Sequence, residues 1–251
     1  MIKTKDNIQP VLEIKDLHKS FGTNHVLNGF NLKLYEGENL VVMGKSGSGK
    51  SVMIKCLVGL LEADSGSITI KNLDILKLGR KELDVLRTEI GFLFQGSALY
   101  DSMTVRENLE FPLRRNRDKT DATKTDEELV IEALQNVGLA NTIDLMPAEL
   151  SGGMQRRVAL ARALILKPKI ILYDEPTTGL DPITAKEIIQ LMRTIQKTYK
   201  TSSLIITHDV DCARVISNRM ILLVDGINYA EGTFKELSTS EDIKIKAFFK
   251  N

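Results

Sequence analysis

Eight residues, Gly44-Lys45-Ser46-Gly47-Ser48-Gly49-Lys50-Ser51, restrict this chain more than any other part of it. They fit GxxxxGK[ST] and follow the apolar run Asn39–Met43 (NLVVM). After them Ile54, Leu57, Val58 and Leu61 recur at i, i+3, i+4 and i+7, which predicts a helix. The apolar run, ended by glycine, predicts a strand buried on both faces. Strand, glycine-rich loop and helix in that order form a phosphate cradle. Backbone N–H groups turn inward as an anion nest, and the positive end of the helix faces the same anion. Lys50 would reach β- and γ-phosphates and the Ser51 hydroxyl would ligate Mg²⁺. The bland alternative is a Gly/Ser-rich turn that matches by chance, which does not require both flanking elements.

Ile170-Ile171-Leu172-Tyr173-Asp174-Glu175-Pro176 supplies the complementary chemistry. Two carboxylates ending an apolar strand are costly to bury without a partner. Bound Mg²⁺ is that partner for Asp174, through a water. Glu175 then lies beside the γ-phosphate, where it orients and deprotonates the attacking water. As an isolated motif the same residues would read as an ordinary strand-to-turn boundary.

Strands are expected at Val11–Lys15, Val26–Tyr35, Ser67–Ile70, Ile90–Phe94, Ile170–Asp174, Ser203–Thr207 and Met220–Val224. Helices are expected over Gly152 to about Ile165, Pro182–Tyr199 and Asp209–Ile216. Thr104 to about Val137 reads as helical, broken by a polar loop from Arg114 to Glu128. Alternating strands and helices imply an α/β fold with a mostly parallel sheet and helices on both sides.

Lys plus Arg number 34 and Asp plus Glu 33, a net charge of +1 that lacks the basic excess of a phosphate-tracking nucleic-acid binder. Cys56 and Cys212 have no CxxC spacing, so neither a zinc site nor a disulfide framework is expected, and a reducing compartment fits. Met1–Asp6 opens on polar residues without an apolar signal core, and no run approaches the roughly 20 apolar residues of a membrane helix. A soluble, cytoplasmic chain is the expectation.

Further motifs carry a resemblance. Leu150-Ser151-Gly152-Gly153-Met154-Gln155-Arg156-Arg157 reads as a second anion site, a serine and two glycines opening a helix, or more simply as a Ser N-cap. Gln95 follows the strand Phe92–Phe94, Gly179-Leu180-Asp181-Pro182 precedes a helix, and His208 ends Ile205-Ile206-Thr207-His208. Phe21 sits in Lys19-Ser20-Phe21-Gly22. Taken alone, Phe21 would belong to the core and His208 to structure. In order, from about Leu12 to Glu231, these motifs resemble the ATP-binding subunits of ABC transporters.

That resemblance implies a P-loop NTPase fold with a mostly parallel core sheet, an N-terminal antiparallel β subdomain and an inserted helical subdomain near 96–165, within one domain over 1–251. It implies ATP and Mg²⁺ as ligands, Gln95 as a Mg²⁺-sensing and catalytic residue, His208 as a γ-phosphate contact, Asp181 in the D-loop and Phe21 stacking on adenine. It implies a head-to-tail homodimer in which Gly44–Ser51 of one copy and Ser151–Gly153 of the other enclose each ATP. It also implies a membrane permease partner, attachment at the cytoplasmic face of the inner membrane, and no nucleic-acid partner.

Met154 stands where most relatives carry glutamine. Together with Phe94–Val105, Glu107-Asn108-Leu109, Pro112-Leu113-Arg114 and Leu145-Met146-Pro147-Ala148-Glu149, it resembles the ATPase of Mla-type phospholipid transporters, which work with a permease and an MCE-type substrate-binding protein. Alternatives stay open: another cargo such as a lipoprotein, amino acid or drug, or a soluble ABC-type ATP switch. The apolar C-terminal stretch Ile243, Ile245, Phe248, Phe249 reads as a packed helix, or else as a docking tail.

Overall fold

The computed structural model describes residues 9–249, so the polar opening Met1–Asp6 lies outside the described residues. The chain divides into two compact units, residues 1–84 with 202–251, and residues 85–201. The segment expected as an insertion, 96–165, falls within the second.

In the first unit, strands β1 (Leu12–Phe21), β2 (Asn24–Leu34), β4 (Ser65–Ile70) and β5 (Leu73–Asp74) form an antiparallel sheet in the order β2-β1-β4-β5. Leu12, Ile14 and Leu17 of β1 are buried against it. The strand runs past the expected end at Lys15. The alternation breaks at Asp16, whose φ of 47° marks an irregularity in both ladders, and pairing resumes at Leu17 and His18.

Strand β3 (Asn39–Met43) is buried at all five positions and pairs in parallel with β8 (Ser202–Thr207) and β9 (Arg219–Val224). Burial on both faces is what its unbroken apolar sequence requires. An antiparallel strand, β10 (Ile227–Gly232), closes on β9. The helix after the glycine loop, α1, covers only Lys50–Leu57. The expected continuation to Leu61 fails because Gly59 turns at φ 67° and Leu60 N–H donates to Lys55 O at 2.8 Å, closing the helix end.

The C-terminal stretch forms α9 (Ile243–Phe249), after the short α8 (Phe234–Ser238). Ile245 is buried, Phe249 meets Phe234 edge-to-face at 5.4 Å, and Tyr229 donates to Asp242 at 2.8 Å. It is a packed helix, although Ile243 at its start is exposed.

In the second unit β6 (Ile90–Leu93) pairs in parallel with β7 (Ile170–Asp174). Helices α3 (Val105–Arg115), α4 (Asp126–Asn136) and α5 (Gly152–Leu164) pack Val105, Leu109, Leu134 and Val158 into one apolar cluster. Helix α6 (Pro182–Tyr199) follows β7. The polar stretch Arg114–Glu128 is less loop than its composition suggests. It includes the end of α3, a single 3-10 turn at Arg117–Lys119 and the first turn of α4. There Thr125 and Glu128 form a reciprocal capping box.

Among the described residues no helix is long and apolar enough to cross a membrane. Both cysteines are free and buried, and burial pushes the Cys56 thiol up to about 11.

Candidate functional site

The chemistry-bearing residues fall into two groups, one in each unit. In the first unit, β3 ends at Met43 and the loop Gly44–Gly49 leads directly into α1. Gly49, at φ 101°, occupies the N-cap and has no side chain to accept the first-turn N–H groups of the helix. Those donors therefore face the loop, which is the arrangement an anion needs. Lys50 is buried and its ammonium donates to Gly44 O at 2.7 Å and Lys45 O at 3.0 Å. The loop thus holds the lysine folded back over the cradle. The Ser48 hydroxyl is buried in the same loop without a protein partner, while Ser51 is exposed on the first turn of α1.

Beside this loop lies a cavity of about 550 Å³, which His25, Val26, Lys45–Ser48 and the α9 residues Ile243 and Phe248 help to line. The contribution of α9 was not legible in the motifs, because it comes from the far end of the chain. Phe21 is 50% exposed at the tip of the β1–β2 hairpin, with the Lys19 ammonium 5.6 Å from its ring. It is not a core residue. His208 follows β8 directly and is exposed, and Asp209 caps α7 (Val210–Ile216).

In the second unit, β7 delivers Asp174 and Glu175 as adjacent buried carboxylates. Glu175 holds a left-handed backbone, φ 49°, uncommon for a residue with a side chain and typical of sites where strain sets an orientation. Thr178 Oγ1 donates to Glu175 Oε2 at 3.2 Å. Gln95 is exposed in the turn after β6.

Ser151 caps α5, its hydroxyl accepting from Met154 N–H at 3.3 Å. Gly152 and Gly153 follow, with the segment Leu180–Thr184 close by: a Cβ on Gly152 would stand 3.8 Å from Leu180, and one on Gly153 only 2.4 Å from Thr184 Cγ2. Asp181 caps α6, accepting from Ile183 N–H and Thr184 N–H at 3.0 Å each. Hydrogen bonds from Thr184 and the neighbouring backbone hold its carboxyl below the usual range.

Two residues to which motif reading gave no role belong with this group, Arg156 among them although it lies within the quoted run Leu150–Arg157. Thr178 touches Glu175, and buried Arg156 donates to Phe94 O at 2.9 Å and Thr178 O at 3.2 Å. Position offers the only sequence signal for them, three residues after Glu175 and five after Ser151. A strand-loop-helix cradle with an ammonium, a strand ending in two carboxylates and a serine-capped helix opening on two glycines are the parts of a nucleoside triphosphate hydrolysis site.

Comparison with known proteins gives the same answer. The family model described as ABC transporter matches residues 27–178, more than half of the chain. The probable ribonucleotide transport ATP-binding protein mkl of Mycobacterium leprae is 41% identical over 94% of this chain and 68% of its own length. The intermembrane phospholipid transport system ATP-binding protein MlaF of Haemophilus influenzae is 35% identical over 96% of this chain and 91% of its own. The dimeric post-hydrolysis structure of the ATP-binding cassette MJ0796 bound to ADP and Pi superposes with a TM-score of 0.80 at 34% identity, covering 89% of this chain and 98% of that one.

Proposed function

The chain belongs to the ABC transporter family as an ATP-binding, ATP-hydrolysing subunit, and from that premise we propose that it drives phospholipid movement between bacterial envelope membranes. Two copies pair head to tail, each Gly44–Ser51 loop facing the partner's Ser151–Gly153. The pair sits on the cytoplasmic face of the inner membrane beneath a permease, with an MCE-type protein as the substrate-binding component. The observation that carries the phospholipid assignment is the likeness to MlaF over nearly the whole of both chains. The second reading, a ribonucleotide cargo, is favoured by the somewhat higher identity to mkl.

Within each site the loop N–H groups and Lys50 hold the phosphates, and Phe21 packs on the base. Ser51, Asp174 and Gln95 would hold Mg²⁺; a hydroxyl, a carboxylate and an amide carbonyl are the oxygen donors a hard cation takes. The ion held there would supply positive charge against that of the phosphates. Glu175 accepts the proton of the attacking water, oriented by its strained backbone and by Thr178. His208 contacts the γ-phosphate. The site closes only when a partner copy supplies its signature serine and glycines, which makes hydrolysis a gate on the transport cycle.

The permease docks in the second unit. A cavity of about 520 Å³ lies there among Phe92, Phe94, Tyr100, Phe111 and Pro112, with Arg87 and Arg162 at its wall. An apolar hollow edged by cations suits a short helix with aromatic or aliphatic anchors and an acidic end.

Co-purification with the membrane partners and ATP turnover of wild type against Glu175→Gln test the reading together. Turnover should fall by about 10²–10⁴-fold with ATP binding retained, and a permease with an MCE-type protein should accompany the chain. Turnover surviving the substitution would remove Glu175 as the base. Recovery of a permease that moves ribonucleotides but no phospholipid would transfer the cargo assignment to the second reading.

A further inference from the structure

Arg156 is a buried cation, 4% exposed, on the second turn of the signature helix α5. Among the described residues it makes no ion pair. Its guanidinium donates through one terminal nitrogen to Phe94 O at 2.9 Å and through the other to Thr178 O at 3.2 Å, while its Nε is buried without a partner. A charge placed this way bears a desolvation cost that two neutral carbonyls offset only in part. An apolar side chain of the same length would fill the space without that cost, so packing alone does not account for an arginine here. What the guanidinium supplies is a rigid planar fork that fixes two acceptors relative to one another.

Those two acceptors are placed on the loops that carry the chemistry. Phe94 immediately precedes Gln95. Thr178 lies three residues beyond Glu175, and its hydroxyl donates to the Glu175 carboxylate at 3.2 Å. A continuous chain of contacts therefore runs from the signature helix through Arg156 to the backbone of Thr178, and from the Thr178 hydroxyl to Glu175. A second branch runs from Arg156 to the segment entering Gln95. The helix whose capped end is Ser151 is tied by one side chain to both.

We propose that Arg156 is a positioning residue for ATP hydrolysis, holding Gln95 and the Glu175 carboxylate in register with the signature helix of the same subunit. The proposal rests on Glu175 being the general base. Any displacement of α5 is transmitted to that carboxylate, so each subunit's own signature helix, and not only its partner's, sets the competence of its base.

The test is steady-state ATP turnover of the full chain, as wild type, Arg156→Met, Arg156→Lys, Thr178→Val and the Arg156→Met/Thr178→Val double variant. Affinity for a fluorescent ATP analogue and thermal unfolding are followed alongside. Misplacing a base by a fraction of an ångström to an ångström should lower kcat by about 10- to 100-fold in Arg156→Met. KM and analogue affinity should stay within about twofold of wild type. Arg156→Lys, able to reach one carbonyl at a time, should recover part of the loss. The double variant should be no slower than the slower single, because both substitutions cut the same path.

Wild-type kcat in Arg156→Met overturns the proposal. So does a loss that appears equally in kcat, analogue affinity and unfolding midpoint, or one that adds in full in the double variant. Should Arg156→Met fail to fold, Thr178→Val with an unchanged kcat overturns it as well. Glu175→Gln in the same series separates the two claims. If it retains turnover, the base assignment falls and the positioning role with it. If it is inactive while Arg156→Met and Thr178→Val turn over normally, only the positioning role falls.

Discussion

A Cβ on Gly153 would stand 2.4 Å from Thr184 Cγ2, closer than real Cβ contacts come, so packing by itself demands the second of the two glycines after Ser151. Gly153→Ala should force α5 and the start of α6 apart, destabilising the chain by about 1–3 kcal/mol as overpacking does. Turnover should fall with it. The obstructing atom is a single methyl group, so adding Thr184→Ser should restore most of the denaturant midpoint. Turnover that stays low in the double variant isolates the part of the glycine's role that belongs to ligand approach; a midpoint that does not recover would show that the steric account is wrong. At this scale the sequence assigned roles that follow from a motif and none that follow from a distant contact. Ser151, Gly153, Lys50 and Glu175 stand out by spacing. Thr184 and Arg156 act through contacts between residues 22 to 62 positions apart along the chain, the widest being Arg156 with Phe94, and no local pattern announces such a contact.

Elements were legible where their signals are local. Helix α6 was read in full because Asp181 caps it, Pro182 suits its first position, and Ile188, Met192 and Ile195 are buried on one face. Strand β3 was equally plain. Helix α2 (Arg80–Arg87) escaped because Leu86 is its one buried residue and charge dominates its sequence. Strand β10 was missed although Asp225-Gly226 before it is a hairpin signal, since its residues are only half-buried and show no clean alternation.

What holds β9 to its neighbours was also invisible. Arg219, 8% exposed, meets both Glu38 oxygens at 2.8 Å and also pairs with Glu231. The two acids hold its guanidinium charged well above the usual range against the cost of burial. Removing Glu38 leaves that buried charge with Glu231 as its remaining acid. Glu38→Ala should therefore cost about 3 kcal/mol of unfolding free energy. Arg219→Met combined with Glu38→Ala should cost less than the sum of the single changes. Additivity in that cycle, measured by denaturant unfolding, would mean the pair contributes nothing beyond packing.

For the whole molecule, the division of chemistry between two units of one chain and between two chains gives the sharpest test of the proposed dimer. In the proposed dimer Lys50 serves the phosphates of its own copy, whereas Ser151 serves those of the partner. Take a dimer of differently tagged copies carrying Lys50→Met and Ser151→Arg. With one substitution on each copy, both defects fall in the same composite site, and the other site keeps an intact loop and an intact signature. With both on one copy, each site contains one defect and none is whole. A self-contained subunit predicts the reverse order, since two substitutions on one copy would leave its partner fully active. Tandem affinity purification of the mixed dimers followed by phosphate release decides between them. The head-to-tail arrangement requires the split pair to turn over faster than the pair combined on one copy, approaching about half the wild-type rate where the two sites work independently. Faster turnover when both changes share a copy would place Ser151 in its own subunit's site and remove the partner from the chemistry. Equal, near-zero turnover in both would show that one intact site cannot fire alone, and would make the two nucleotides a single cooperative unit.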